Sequence, residues 1–132
     1  MINFIVCEDN KVILQKNVDI INKTMFNSNY DYRIYQFEND TNELHNLIEK
    51  DLGLKVYILD IELDNISGID IAREIRKDDS KSIIIISTTY VEYLPMALKN
   101  KLMLFDFVSK FEDYEENLER VISKAIIQLN QY

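Results

Sequence analysis

The feature that most constrains the fold is a regular alternation of two hydrophobic patterns along the chain. Short apolar runs rich in β-branched and aromatic residues predict strands, and stretches with apolar residues three or four positions apart predict helices. The strand runs are residues 3–7, 32–37, 56–59, 82–87 and 104–108. A helical stretch follows each run, and the last is the clearest, with Leu118, Val121, Ile122, Ala125 and Leu129 on one face. The sequence therefore predicts five strand–helix units.

Strands that alternate with helices predict a parallel sheet with right-handed crossovers and helices on both faces. The runs at 3–7 and 82–87 are apolar without alternation, as expected of central strands that are covered on both sides. The run at 32–37 alternates more, which favours an edge position. We therefore predict an α/β, flavodoxin-like (βα)5 fold with a doubly wound five-stranded sheet in the order 2-1-3-4-5. In such sheets, ligands bind at the carboxyl ends of the strands.

The size and charge of the chain exclude several classes of function. Its 132 residues fit one globular domain, which we expect to span residues 1–132. The net charge of −8 disfavours direct binding to nucleic-acid phosphates. No apolar segment reaches the length of a membrane span, and the N-terminus lacks the features of a signal peptide. We therefore expect no membrane contact and a cytoplasmic location.

Three acidic residues follow the first and third predicted strands. Glu8 and Asp9 end the first strand, and Asp60 ends the third. These strands are neighbours in the predicted order, so the three carboxylates should meet at the carboxyl edge. Two full charges about 4 Å apart repel by roughly 4 kcal/mol at an effective dielectric near 20, so the cluster should hold a proton or bind a cation. Oxygen ligands without His or Cys suit Mg²⁺.

The fourth and fifth strands bring hydroxyl groups and a cation to the same edge. The fourth strand ends in Ser87, Thr88 and Thr89, and Lys110 follows the fifth. Lys110 would give the acids a permanent counter-charge. Together these groups suit phosphoryl transfer to a carboxylate, with Asp60 as nucleophile and Mg²⁺, Lys110 and a hydroxyl around the phosphoryl oxygens.

The whole chain resembles a receiver domain of a two-component response regulator. The resemblance rests on the motifs CEDN after the first strand, ILDIEL around Asp60, EIRK at 74–77 and DFVSK ending at Lys110, together with Gly68 and Thr88. The spacing of 22 residues from Thr88 to Lys110 and the segment SGIDIAREIRK are most similar to the accessory-gene-regulator branch of quorum-sensing response regulators.

The resemblance implies a role for each acidic residue of the site. Asp60 would be the phosphoacceptor and a metal ligand, and Asp9 would bind Mg²⁺ directly. Glu8 would act through a bound water molecule. Glu62 would bind the metal through its backbone carbonyl, and its side chain would border the entrance of the site.

The resemblance also implies which residues touch the phosphoryl group and respond to it. Thr88 and Lys110 would contact the group, and Phe107 stands at the position of the switch aromatic, which swings inward as the threonine moves. Phe107 also fits a core position in its strand. The run of three hydroxyl residues leaves the register open between Ser87, Thr88 and Thr89, although the spacing to Lys110 favours Thr88.

The sequence departs from the family pattern at two positions. Asp64 stands where many receivers have proline, so the loop after Asp60 is expected to be less rigid, and we assign no role to Asp64. Phe111 follows Lys110 where proline is common, which removes the usual reason to expect a cis peptide bond there.

The resemblance implies a phosphorylation-dependent switch rather than an enzyme that turns over substrate. A sensor histidine kinase would phosphorylate Asp60, and the change would reach the face formed by the fourth helix, fifth strand and fifth helix, where a homodimer could form. Pro95 predicts that the fourth helix begins near Tyr93 or Leu94. Those two residues and Tyr90 could form a partner surface.

Full regulators of this branch carry a LytTR-type DNA-binding domain after the receiver. We expect that domain to lie outside this chain, which is then either a fragment or a stand-alone receiver. Control of the effector, most simply of transcription, would pass through that domain, while residues 1–132 would not contact nucleic acid.

Four alternatives explain parts of the pattern. Capping of the first helix by Asp9 or Asn10 leaves Asp60 unexplained. A receiver-like interaction module that is never phosphorylated leaves the intact site unexplained. An aspartate-nucleophile phosphatase uses similar groups, but its Asp-x-Asp signature follows the first strand. A flavin-binding protein of this fold needs phosphate donors where the chain has acids. The only histidine, His45, is expected to be a solvated helix residue.

Overall fold

The computed structural model of the chain describes residues 1–39, 41–63, 66–89 and 96–129. Five strands alternate with five helices in these residues. They are β1 (Ile2–Cys7), α1 (Lys11–Phe26), β2 (Tyr32–Phe37), α2 (Asn42–Glu49), β3 (Leu54–Asp60), α3 (Gly68–Asp78), β4 (Ile83–Thr88), α4 (Met96–Leu102), β5 (Asp106–Ser109) and α5 (Tyr114–Leu129).

The strands form one parallel sheet in the order β2-β1-β3-β4-β5. The predicted fold class and strand order are therefore confirmed, as is the edge position of β2. The fifth strand begins at Asp106, two residues later than predicted. The chain leaves α4 through Met103, whose φ of 51° lies in the left-handed region, and residues 104–105 form the connection into β5.

Alternate side chains of the strands point to opposite faces of the sheet, which creates two apolar layers. The layer beneath α1 and α5 contains Phe4 and Ile58, and the five residues predicted for the face of α5 are all buried there. The layer beneath α2 and α3 contains Tyr57 and Leu59. The sheet is thus covered on both faces, and its carboxyl edge is left to carry polar groups.

The start of β3 buries a lysine that the sequence patterns did not single out. Lys55 is 4% exposed, and its Nζ donates to the carbonyls of Leu47 and Ile48 at 3.2 Å each and to that of Lys50 at 2.5 Å. These carbonyls belong to the C-terminal end of α2, where the helix dipole favours a cation. Burial lowers the pKa of Lys55, an effect that Asp79 and Asp51 oppose. Lys55 therefore closes the end of α2.

The expectation for His45 was wrong. Its Nδ1 lies 2.7 Å from the Glu74 carboxylate, and the imidazole is half-buried between α2 and α3. His45 lies off the apolar face of α2, as the sequence indicated, but α3 packs beside that position and supplies a partner. The contact joins two helices rather than a helix and solvent.

Some predictions fall on residues outside the described ranges. These are the start of the fourth helix near Tyr93 or Leu94, the surface that includes Tyr90, and the loop position Asp64. None of the helices in the described parts of the chain has the length and apolar character that a membrane crossing requires. No cis peptide bond occurs in those parts.

Candidate functional site

Three carboxylates meet at the carboxyl edge of the sheet. Glu8, Asp9 and Asp60 each offer an oxygen that lies within 4.8 Å of the other two. The register explains this, because Cys7 pairs with Leu59 and the acids follow directly on these adjacent strands. Glu8 is 1% exposed and Asp60 is 4% exposed, whereas Asp9 is more open to solvent. The structure thus brings together the three acids that the sequence selects.

Lys110 supplies the only positive charge that the structure describes within ion-pair distance of Glu8 and Asp60. Its Nζ lies 2.5 Å from Glu8 Oε1 and 3.2 Å from Asp60 Oδ1. The Lys110 N–H donates to the carbonyl of Thr88 at 2.9 Å, which ties the end of β5 to the end of β4. Three carboxylates against one ammonium leave an excess of two negative charges when all four groups are ionised.

The electrostatics of Glu8 reflect that excess charge. The pKa of Glu8 is raised to about 7, chiefly by burial and also by the nearby Asp60 charge, although Lys110 and the Asn10 N–H, 3.1 Å from Oε2, act to lower it. Glu8 Oε1 is paired with the Lys110 ammonium, which it shares with Asp60. Near neutral pH, Glu8 is therefore protonated in a fraction of the molecules, which reduces the surplus negative charge of the cluster.

The donor set of this cluster fits a hard divalent cation. The three side chains that meet there offer carboxylate oxygens and no imidazole or thiolate. Carboxylates that outnumber the ammonium groups around them are ready ligands, because a bound cation would offset the surplus negative charge. Glu8, Asp9 and Asp60 are thus suited to Mg²⁺.

The backbone after Asp60 is held against the start of α3. Glu62, whose side chain is exposed, donates its N–H to Asp60 Oδ1 at 3.1 Å, and the Gly68 N–H donates to the Ile61 carbonyl at 3.0 Å. A Cβ on Gly68 would lie 2.2 Å from the Asp60 carbonyl oxygen, closer than side-chain atoms approach. The glycine that the sequence comparison selected by position is therefore required by contact with the Asp60 backbone.

The three candidate hydroxyls have different surroundings. Thr89 lines a cavity of about 490 Å³ together with the three acids and Lys110. Thr88 is 2% exposed, and its backbone carbonyl accepts the Lys110 N–H. Ser87 is also buried, with its Oγ 3.0 Å from the Tyr114 hydroxyl. The register of the hydroxyls therefore stays a prediction.

Asn10 is the cap of α1 and was only one of two candidates in the sequence. Its Oδ1 accepts the N–H groups of Val12 at 3.0 Å and Ile13 at 3.1 Å. Helix capping thus accounts for Asn10 but not for the acids before it. The capping alternative leaves the cluster of Glu8, Asp9 and Asp60 unexplained.

Phe107 lies on β5 and packs, half-buried, against the apolar layer beneath α2 and α3. The Nζ of Lys99 on α4 lies 5.6 Å from the centre of its ring, a cation–π contact. Phe107 therefore contacts α4 on the face of the molecule that the sequence analysis linked to output.

A larger cavity of about 790 Å³ lies at the opposite edge of the sheet, between the C-terminal ends of α2 and α3. Lys55 lines it, and the Nζ of that lysine is already bound to three carbonyls. We therefore place the candidate site at the smaller cavity, which the acid cluster lines, and not at this larger one.

The chain is similar to known proteins along most of its length. The response regulator receiver domain family matches residues 4–122. No curated protein sequence matches the chain significantly. A response regulator receiver domain protein from Clostridium thermocellum has a TM-score of 0.79 and 23% identity, over 99% of this chain and 98% of that one.

Two proteins from Thermotoga maritima have similar structures. DrrB, an OmpR/PhoB homolog, has a TM-score of 0.71 and 20% identity over 97% of this chain, which spans 54% of the length of DrrB. TrrA, in complex with Mg²⁺ and BeF, has a TM-score of 0.65 and 27% identity, over 92% of this chain and 97% of TrrA.

Proposed function

The chain belongs to the response regulator receiver domain family, and from that membership we propose that it is a switch that accepts a phosphoryl group on Asp60. The observation that carries the proposal is the setting of this carboxylate. Asp60 is buried beside a lysine and two further acids, yet it borders a cavity that a phosphodonor can enter. A purely structural carboxylate has no need of that opening.

The contacts of Asp60 suggest which oxygen reacts. Both the Glu62 N–H and Lys110 Nζ approach Oδ1. We therefore assign Oδ2 as the nucleophile, which forms a bond to phosphorus as the bond from phosphorus to the donor breaks. Lys110 would then hold a phosphoryl oxygen, and the fixed position of Oδ1 would keep the carboxylate oriented.

Mg²⁺, when bound, would neutralise charge on the phosphoryl oxygens. In this proposal Asp9 and Asp60 bind the ion directly, Glu62 contributes its backbone carbonyl, and Glu8 acts through water. The three carboxylates around a single ammonium support this assignment, as does the complex of TrrA with Mg²⁺ and BeF. Loss of the proton from Glu8 would accompany binding.

We propose Thr88 as the switch hydroxyl and Phe107 as the aromatic that follows it. Thr88 is buried at the end of β4, and in this proposal its side chain moves toward the phosphoryl group on Asp60. That movement would vacate space beside Phe107, which now packs half-buried next to α4. Thr88→Ala should then separate phosphoryl gain from output, whereas Thr89→Ala should affect only entry to the cavity.

The wider setting in the proposal comes from the sequence. The 22-residue spacing of Thr88 and Lys110 and the segment SGIDIAREIRK support the accessory-gene-regulator branch, and with it quorum sensing. The chain would act in the cytoplasm, where a sensor histidine kinase would be the donor. The face formed by α4, β5 and α5 would pass the signal to a LytTR-type DNA-binding domain or to a second receiver, and so to transcription.

The test is to incubate the protein with Mg²⁺ and acetyl phosphate and to measure its intact mass. The wild-type protein should gain one phosphoryl group that is stable in acid and labile in base. Asp60→Asn should gain none, while the exposed-acid control Asp70→Asn should behave as wild type. Gain by Asp60→Asn would refute the nucleophile, and turnover of many equivalents of donor would indicate a phosphatase.

A further inference from the structure

Two buried polar side chains, Asn17 and Ser87, and the half-buried Tyr114 form a chain of hydrogen bonds beside the acid cluster. The Tyr114 hydroxyl donates to Asn17 Oδ1 at 2.5 Å and lies 3.0 Å from Ser87 Oγ. A tyrosine hydroxyl has one proton, so Ser87 must be the donor in the second contact. Asn17 lies on α1, Ser87 on β4 and Tyr114 at the first position of α5. The hydrogen bonds therefore join three elements.

Each of these elements also borders the site. Ser87 is the register partner of Asp60 on the adjacent strand. Tyr114 follows Lys110 by four residues, and α1 begins directly after Asp9 and its cap. The chain of hydrogen bonds thus ties the strand beside the nucleophile to the two segments that carry Asp9 and Lys110.

The polar chain is unusual for its surroundings. Asn17 and Ser87 are buried, and Tyr114 packs against an apolar layer that includes Leu14, Leu118 and Val121. Apolar side chains would fill this layer without any need for matched partners. A satisfied polar set instead permits only the arrangement in which its donors and acceptors meet.

We propose that Tyr114 is a positioning residue for the phosphoryl site, holding the start of α5, and with it Lys110, in a fixed place relative to Asp60. This inference rests on the proposed function. Burial raises the pKa of Tyr114 far above its ordinary value, and the Glu8 and Asp60 charges add to this, so the hydroxyl keeps its proton. The hydrogen bond to Asn17 is thus available at any pH at which the protein works.

The test compares Tyr114→Phe with Tyr32→Phe in the acetyl phosphate assay. Tyr32 makes a similar bond, with its hydroxyl 2.6 Å from Asn22 Oδ1 on the same helix but further from the site. At saturating Mg²⁺ and donor, Tyr114→Phe should gain the phosphoryl group about 3- to 10-fold more slowly, because a small displacement of Lys110 weakens transition-state contacts. The Mg²⁺ concentration for half-maximal rate should change by less than about 2-fold, since Tyr114 contacts none of the proposed ligands.

A second pair of variants guards against a general loss of stability. Ser87→Ala removes the partner of Tyr114 on β4. The double variant, Ser87→Ala with Tyr114→Phe, should gain the phosphoryl group no more slowly than the slower of the two single variants. A folded Tyr114→Phe as fast as wild type would overturn the inference, as would multiplied effects in the double variant or equal slowing in Tyr32→Phe. A wild-type protein that gains no phosphoryl group would instead refute the proposed function.

Discussion

Strand β3 carries a buried charged residue near each end, Lys55 and Asp60, and the two differ in how fully neighbouring groups compensate their charge. At the amino edge, Lys55 has three N–H donors and three carbonyl acceptors. At the carboxyl edge, Glu8 and Asp60 share the single ammonium of Lys110, and Asp9 adds a third carboxylate to the cluster. The buried charge at the amino edge therefore has all its hydrogen-bond partners, whereas the described carboxylates at the carboxyl edge outnumber the positive charges.

The difference separates what holds the fold from what serves the proposed function. A fully satisfied buried charge fixes one arrangement and needs no ligand. A group of acids with too few partners is costly in isolation, and it persists where a cation or a reacting group completes it. We therefore expect changes at the amino edge to alter stability alone, and changes at the carboxyl edge to alter ion and phosphoryl binding as well.

The largest expected effect is at the amino edge. Lys55→Met would leave three carbonyls at the end of α2 without their donor, which should lower the free energy of unfolding by about 3–5 kcal/mol. The exposed Lys16→Met is the control and should lose little. Urea denaturation measures the loss. If the folded Lys55→Met protein also gained phosphate much more slowly, the separation of the two edges would be wrong.

A pH dependence of stability should distinguish the carboxyl edge. The folded pKa of Glu8, about 7, lies above its ordinary value of 4.5, so the folded state binds the proton more tightly. This contribution is fully present below about pH 4.5 and is lost as the pH rises to about 7, by roughly 2–3 kcal/mol without divalent cations.

Glu8→Gln isolates that dependence. As the pH rises across this range, the unfolding free energy of wild type should fall relative to that of Glu8→Gln, because glutamine cannot ionise. The exposed Glu49→Gln should show no such trend relative to wild type. A difference independent of pH would mean that Glu8 is as readily ionised in the folded protein as in the unfolded chain.

Two glycines allow a matched comparison of the edges, because Gly53 directly precedes β3 and Gly68, at the start of α3, contacts its last residue. Gly53 has a φ of 84° and open space around its Cβ position, whereas Gly68 lacks room for a Cβ beside the Asp60 carbonyl. Both Gly53→Ala and Gly68→Ala should cost about 1–3 kcal/mol of stability, through backbone strain and overpacking respectively. Only Gly68→Ala should also slow phosphoryl gain, and equal rates in the two variants would contradict the close contact.

The smallest expected effect is the stabilisation by Mg²⁺. An ion at about 10-fold its dissociation constant should raise the free energy of unfolding by about 1.4 kcal/mol. Asp9→Asn should reduce this gain, and Lys55→Met should retain it. A thermal melt with and without Mg²⁺ measures the shift, and equal stabilisation of Asp9→Asn and wild type would argue against a site at the acids.

The sequence predicts the sheet and the convergence of the acids because both depend on patterns along single strands. Continuous apolar runs identified β1 and β4 as central, and the acids follow β1 and β3 directly. The start of β3 was missed because a lysine in sequence indicates an exposed loop. Lys55 is buried only because its ammonium binds carbonyls at the end of α2, a contact that the sequence does not reveal.

Contacts between distant residues could not be predicted. Tyr114 and Asn17 are 97 residues apart, and nothing in either segment indicates that they meet. The partner of His45 was missed for the same reason, since Glu74 lies 29 residues away on another helix. The sequence likewise could not show whether Asn10 or Asp9 caps α1, because the choice depends on which side chain points at the first N–H groups of the helix.

The most direct test of the central claim locates the phosphoryl group on the chain. After incubation with Mg²⁺ and acetyl phosphate, borohydride reduction converts an aspartyl phosphate to homoserine, which peptide mass spectrometry can place. The account predicts homoserine at position 60 alone, and only when a divalent cation is present. Homoserine at another acid, or equal conversion at position 60 after removal of the cation by EDTA, would contradict it.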